Sequence, residues 1–153
     1  MLLTVVIGIS LLALISAQQV PGNVAFTAAI TEDRTVNAGN TIVFNTVLNN
    51  IGTGYDPITG VFTAPRGGVY TIAFNAVTQA NSKVYVDLVH NDVYQVSAYG
   101  SSGWGSYATA STTLNLRLKK GDRVVIKARH TAYLYAEPKE IYATFTGFLV
   151  GLV

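Results

Sequence analysis

Between residues 68 and 78 the chain alternates without a break: Tyr70, Ile72, Phe74 and Ala76 fall on one side of an extended backbone, and Thr71, Ala73 and Asn75 on the other. Successive side chains of a strand point to opposite faces, so such a run buries one face and exposes the other. The same period governs residues 108–118, where Leu114, Leu116 and Leu118 oppose Thr113, Asn115 and Arg117. Downstream of the N-terminal segment, apolar residues never recur at the i, i+3, i+4, i+7 spacing of a capped amphipathic helix. A chain patterned in this way places its strands in antiparallel sheets stacked face to face.

Alternation and enrichment in Val, Thr, Tyr and Phe predict strands over 24–31, 41–45, 60–64, 68–78, 83–89, 93–99, 108–118, 123–130 and 141–149. Lys119-Lys120-Gly121-Asp122 supplies a glycine able to take positive φ between two alternating runs. His90-Asn91-Asp92 does the same job, a tight turn, between the runs ending at Val89 and starting at Val93. Both predict tight hairpins, and regular strands punctuated like this predict an all-β sandwich or jelly roll.

The N-terminal segment is of another kind. Ten Lys or Arg and eight Asp or Glu make up the charged residues of this 153-residue chain, and none precedes Glu32. Leu2 to Ile15 is an almost unbroken apolar run, and the following Ser16-Ala17-Gln18-Gln19 puts a small residue where a signal peptidase cuts. The run is shorter than the roughly 20 residues of a membrane-spanning helix. It predicts a secretory signal at 1–17, a linker at 18–23, a single domain at 24–153, and no membrane span. An uncleaved anchor or a buried strand is the alternative, because no Lys or Arg precedes the run. The absence of Cys means that the secreted domain is held by packing or assembly rather than by disulfides. A net charge of +2, with no basic run longer than Lys119-Lys120, argues against a nucleic-acid footprint.

One set of spacings goes further. Phe44, Asn50, Tyr55, Phe62, Gly68, Tyr70 and Phe74 follow one another with five, four, six and five residues between the first five of them. This resembles the signature of the C1q globular domain, with Ile72 where an aromatic residue is usual. Ile keeps the strand propensity and the apolar face, so the departure is expected to be structurally silent. Three further blocks resemble the same family in order: Val24-Ala25-Phe26-Thr27-Ala28, Leu118-Lys119-Lys120-Gly121-Asp122-Arg123-Val124 and Phe145-Thr146-Gly147-Phe148-Leu149. The resemblance implies a ten-stranded antiparallel jelly-roll sandwich of the C1q and tumour necrosis factor type. It also implies assembly as a homotrimer, or a heterotrimer with related heads. No Gly-X-Y triplets stand between Ala17 and Val24, so the chain is similar to the secreted, head-only form, abundant in invertebrates and especially molluscs.

Catalytic chemistry is poorly supplied. His90 and His130 are the only histidines, neither in a catalytic motif, and Glu137 and Glu140 flank Pro138 in a loop that does not fix paired carboxylates for acid/base work. The expectation is a binding protein and not an enzyme. Asp56, Asp87, Asp92 and Asp122 are scattered oxygen donors that leave Ca²⁺ as a possible cofactor, without the spacing of an EF-hand. Asp56, Asp92 and Asp122 are also explained by turns.

Two segments carry the candidate ligand-binding residues. In Tyr99-Gly100-Ser101-Ser102-Gly103-Trp104-Gly105-Ser106-Tyr107 the sole Trp is flanked by Gly and Ser, as suits an indole that stacks on a sugar beside hydroxyl groups. The alternatives are an indole folded back on the sandwich or buried between subunits. In Arg129-His130-Thr131-Ala132-Tyr133-Leu134-Tyr135 a guanidinium lies near two tyrosines, a combination able to grip the carboxylate of sialic acid. The candidates are therefore Trp104, Tyr107, Arg129, His130, Tyr133 and Tyr135, packing at a sheet edge being the commoner role for the last two. The resemblance points to a secreted, extracellular lectin of innate immunity that binds sialic acid or microbial surface polysaccharide, with avidity from trimerisation. An extracellular-matrix or biomineral-associated protein and a cytokine-like ligand are the alternatives, the mildly basic charge arguing against mineral binding.

Overall fold

The computed structural model describes residues 22–153, so the expected signal at 1–17 and most of the linker lie outside the described residues. Twelve strands follow in chain order: β1 (Ala25–Ile30), β2 (Arg34–Val36), β3 (Thr46–Ile51), β4 (Tyr55–Asp56), β5 (Val61–Thr63), β6 (Gly68–Thr78), β7 (Lys83–His90), β8 (Val93–Ser101), β9 (Thr109–Leu118), β10 (Arg123–Ala128), β11 (Ala132–Tyr135) and β12 (Ala143–Gly151). They form two antiparallel sheets, one of seven strands and one of five, and the described residues contain no helix. The chain is an all-β jelly-roll sandwich. Segments as short as β2, β4 and β5 raise the strand count above ten.

β6 organises the larger sheet. One of its edges pairs with β9 from Gly68↔Leu118 to Val77↔Thr109. The other pairs first with β12, from Val69↔Gly151 to Asn75↔Thr144, and then with β11 at Val77↔Tyr135. β1 and β3 continue the sheet beyond β12. The smaller sheet runs β4-β5-β10-β7-β8. Alternate residues of β6, from Gly68 through Tyr70, Ile72, Phe74 and Ala76 to Thr78, are buried between the sheets, as the sequence period requires.

The spaced aromatic residues meet in that interior. Phe26 stacks on Tyr55 and Phe62, with ring centroids 5.1 and 4.6 Å away, and takes the edge of Phe145 at 4.9 Å. Phe44 contacts Phe74 edge-on at 6.1 Å. The Tyr55 hydroxyl donates to the Phe44 carbonyl at 2.9 Å and accepts from the Phe44 N–H at 3.2 Å. Asn50 clamps the same turn, donating from Nδ2 to the Tyr55 carbonyl at 2.8 Å while Oδ1 accepts from the Tyr55 N–H at 3.1 Å. Gly68 permits close strand approach, because a Cβ there would lie 2.4 Å from Leu149 Cδ1 and 2.5 Å from the Gly151 carbonyl oxygen. The motif therefore specifies the scaffold.

Three expectations need correction. Residues 41–45 are not a strand: Thr41 bridges to Lys127, the Ile42 N–H reaches the Ile126 carbonyl at 2.8 Å, and ladder pairing starts only at Thr46, on β1. Ile42 and Phe44 are buried because this segment crosses from one sheet to the other, which leaves the same alternating trace as a strand. The run predicted to end at residue 130 stops at Ala128, and the one predicted over 141–149 spans Ala143–Gly151. Within 129–135, read as a ligand-binding segment or as packing at a sheet edge, Ala132–Tyr135 forms β11, wedged between β2 and β6.

Candidate functional site

Register carries most of the candidate residues to one end of the sandwich, where β6 finishes at Thr78. Here the β8–β9 loop is fastened at both ends. Ser102 Oγ lies 2.9 Å from the carbonyl oxygens of Gln79 and Ser82 and accepts from the Ser82 N–H at 3.0 Å. At the other end the Thr78 N–H donates to the Ala108 carbonyl at 2.8 Å, and Thr78 Oγ1 accepts from the Ala108 N–H at 3.0 Å. The tip closes on itself. Ser106 Oγ accepts from the Gly103 N–H and donates to the Gly103 carbonyl, both at 3.1 Å, and Gly105 takes φ +63°, the left-handed region a glycine enters without strain. Between these ties Trp104 stands 94% exposed, so the indole does not fold back onto its own sandwich.

The other candidates separate into two groups. Tyr107 packs on Tyr135 at 4.7 Å, and Tyr135 stacks on Tyr142 at 5.6 Å. Tyr135 donates its hydroxyl to Glu137 at 2.7 Å and Tyr142 donates to Glu140, and these carboxylates hold both phenols above their ordinary range. Glu137 and Glu140 are thereby occupied as acceptors. Tyr133 is 40% exposed and its carbonyl accepts from the Gln79 N–H, beside the Trp104 loop.

Arg129 does not face Tyr133 and Tyr135. It turns onto the outer face of the smaller sheet, where Nε reaches both Asp87 oxygens at 2.9 Å, Nη2 lies 2.9 Å from Oδ1, and Nη1 donates to the Tyr85 hydroxyl at 3.1 Å. The guanidinium sits 4.8 Å from the Tyr85 ring centre and 5.2 Å from that of Tyr94. Asp87, held in turn by Ser97 at 2.8 Å, already fills the bidentate position that a ligand carboxylate would need. His130 packs on Tyr85 at 5.5 Å, and Tyr99 meets the same ring edge-on at 5.4 Å. Sequence reasoning singled out Arg129 and His130, took Asp87 only as an oxygen donor for Ca²⁺, and missed Tyr85 and Tyr94. The alternation of β7 marks Tyr85 and Asp87 as outward-facing, but only the β7–β8 register brings Tyr99 opposite Tyr85.

The four aspartates considered for Ca²⁺ are dispersed and each is engaged. Asp56 accepts from the Ile58 N–H and the Thr59 hydroxyl, Asp87 pairs with Arg129, and Asp92 lies 3.3 Å from Lys127. Asp122 accepts from Asn91 Nδ2 at 2.9 Å and the Lys119 N–H at 2.8 Å and meets His90 Nε2 at 2.9 Å. These donors, Asn91 foremost, hold its carboxyl down at about 2. Among the described residues no three His, Cys, Asp or Glu side chains converge on a common point. His90 therefore serves a structural bridge.

Comparison with known proteins agrees with this architecture. The family model of the C1q domain matches residues 25–150. Complement C1q tumor necrosis factor-related protein 3 of Mus musculus is 36% identical over 115 residues, covering 74% of this chain and 46% of that protein. Caprin-2 of Danio rerio is 35% identical over 133 residues, covering 83% of this chain and 14% of its own length. The chain thus spans less than half the length of these curated relatives. Among solved structures, the globular domain of zebrafish complement 1qA protein superposes with a TM-score of 0.72 at 24% identity, over 85% of this chain and 99% of that one. The Eiger TNF of S. frugiperda gives 0.70 at 12% identity, over 86% and 94%. At these identities the structural likeness speaks for the fold alone.

Proposed function

This chain belongs to the C1q-domain family, and from that premise we propose that it is a secreted pattern-recognition lectin, a non-enzymatic head that binds glycans of microbial surfaces through its Trp104 loop. The observation that carries the reading is the indole itself, 94% exposed on a loop tied at both ends and at its tip. A large aromatic surface in water is unfavourable unless something covers it, and the C–H face of a pyranose suits an indole plane. Because the loop is already ordered, little conformational entropy is lost when a sugar docks.

Arg129 supports a narrower ligand class. With its charge met by Asp87, it steadies Tyr85 and Tyr94 rather than offering a free clamp, which favours neutral sugar faces over sialic acid. A single stacking contact is weak, and trimerisation would multiply it. Phe148, Val150 and Leu152, at or just beyond the end of β12, together with Leu48 and Ile51 on β3, are exposed apolar residues, a surface suited to burial against copies of the chain. A glycan array of neutral, sialylated and bacterial sugars, with and without Ca²⁺, tests the reading. Binding to neutral or bacterial glycans that Trp104→Ala abolishes supports it, and flat binding across the array contradicts it.

A further inference from the structure

The end of the sandwich remote from Trp104 carries a second concave surface. The ten residues of β9 run from Thr109, beside Val77, to Leu118, beside Gly68, a separation of roughly 30 Å. An open groove of about 590 Å³ lies there against the β9–β10 turn, and Arg117, Lys119 and Lys120 line it. All three are exposed. Ion pairs among the described residues join His90 to Asp122, Lys127 to Asp92 and Arg129 to Asp87, so the three cations of the groove take part in none.

The groove does contain a carboxylate, but its acceptor positions are occupied by other groups. Asp122 Oδ1 accepts from Asn91 Nδ2, and Oδ2 accepts from the Lys119 N–H and meets His90 Nε2. Asn91 Oδ1 in turn accepts from the Arg123 N–H at 2.9 Å. One aspartate thus ties the β7–β8 turn to the β9–β10 turn and fixes the backbone that bears Lys119 and Lys120, while neutralising neither lysine. Cations clustered around a concave surface, none of them in an ion pair with a described carboxylate, make a field that collects anions.

We propose that this groove binds anionic polysaccharide, a chain that carries sulfate or carboxylate groups in series. A polymer engages Arg117, Lys119 and Lys120 together, which a single small anion cannot do. Nucleic acid is the less fitting polyanion, because single-stranded binders add exposed aromatic platforms for the bases, and this groove is lined by no Phe, Tyr or Trp, its one ring being His90, held on Asp122. The site is independent of Trp104.

The test is retention of the full chain on immobilised heparin across a salt gradient, against chemically desulfated heparin and single-stranded DNA. The wild type should be retained by heparin and more weakly by the desulfated polymer, which keeps only its carboxylates. Lys119→Ala/Lys120→Ala should elute at lower salt, with the slope of log K against log salt reduced by about two, and adding Arg117→Ala should reduce it by about one more. The charge-matched Lys83→Ala/Lys139→Ala variant and Trp104→Ala should elute with the wild type. Equal weakening by the charge-matched pair would show that only net charge matters and overturn the proposal. So would loss of retention in Trp104→Ala, equal retention by desulfated heparin, or tighter retention by DNA.

Discussion

The Tyr55 hydroxyl is satisfied twice by one buried residue, donating to the Phe44 carbonyl and accepting from the Phe44 N–H. Burial pushes its pKa up to about 12, so it stays protonated under any ordinary condition. Tyr55→Phe keeps the ring on Phe26 but orphans both backbone groups, and should cost about 1–3 kcal/mol, seen as a lower urea midpoint at unchanged slope. Asp122 supplies a pH signature. Its carboxyl sits at about 2 in the folded chain against an ordinary 3.8, so it stabilises the fold above about pH 4 and loses that contribution as pH falls through 2. The difference in melting temperature between wild type and Asp122→Asn should hold from pH 7 to 5 and shrink below pH 3. Single residues were legible in the sequence to different depths. Trp104 stood out by its Gly and Ser neighbours, whereas the partner of Arg129 did not, since Asp87 is 42 residues away and the pairing exists only once β7 and β10 lie side by side.

Strands were legible where one face is buried and the other wet. β6 has the bounds that its alternation predicts, and the two-residue turn between β7 and β8 places Asn91 and Asp92 at φ 47° and 63°, as a type I′ hairpin requires. The crossing segment at 41–45 misled because an interior plug alternates just as a strand does, and β4 is too short to leave a period. β11 was obscured by its two outward tyrosines, which also read as a ligand surface. Close packing between elements gives a sharper test. At Gly147 of β12, a Cβ would lie 2.5 Å from the Phe26 ring and 2.8 Å from Ile72 Cδ1, both fully buried. Gly147→Ala should therefore destabilise the domain by about 1–3 kcal/mol in chemical denaturation. Ile72 packs against this glycine, so the departure from the family pattern is accommodated inside the core.

For the whole molecule, the two ends of the sandwich and one outer sheet face divide the surface into distinct chemistries. The Trp104 loop and the tyrosine clusters occupy one end, unpaired cations the other, and exposed apolar side chains the larger sheet near β12. If that apolar surface joins copies, sedimentation should give the mass of three heads at micromolar concentration. Phe148→Asp/Val150→Asp should then sediment as a folded monomer with weakened glycan binding. The reading rests above all on Trp104, and the most direct measurement is binding of wild type and Trp104→Ala to the same glycan array, with melting temperatures recorded alongside. A stacking contact of about 0.5–1.5 kcal/mol per head, compounded over linked heads, predicts more than a tenfold loss of apparent affinity at unchanged melting temperature. Equal binding by the two proteins would contradict it.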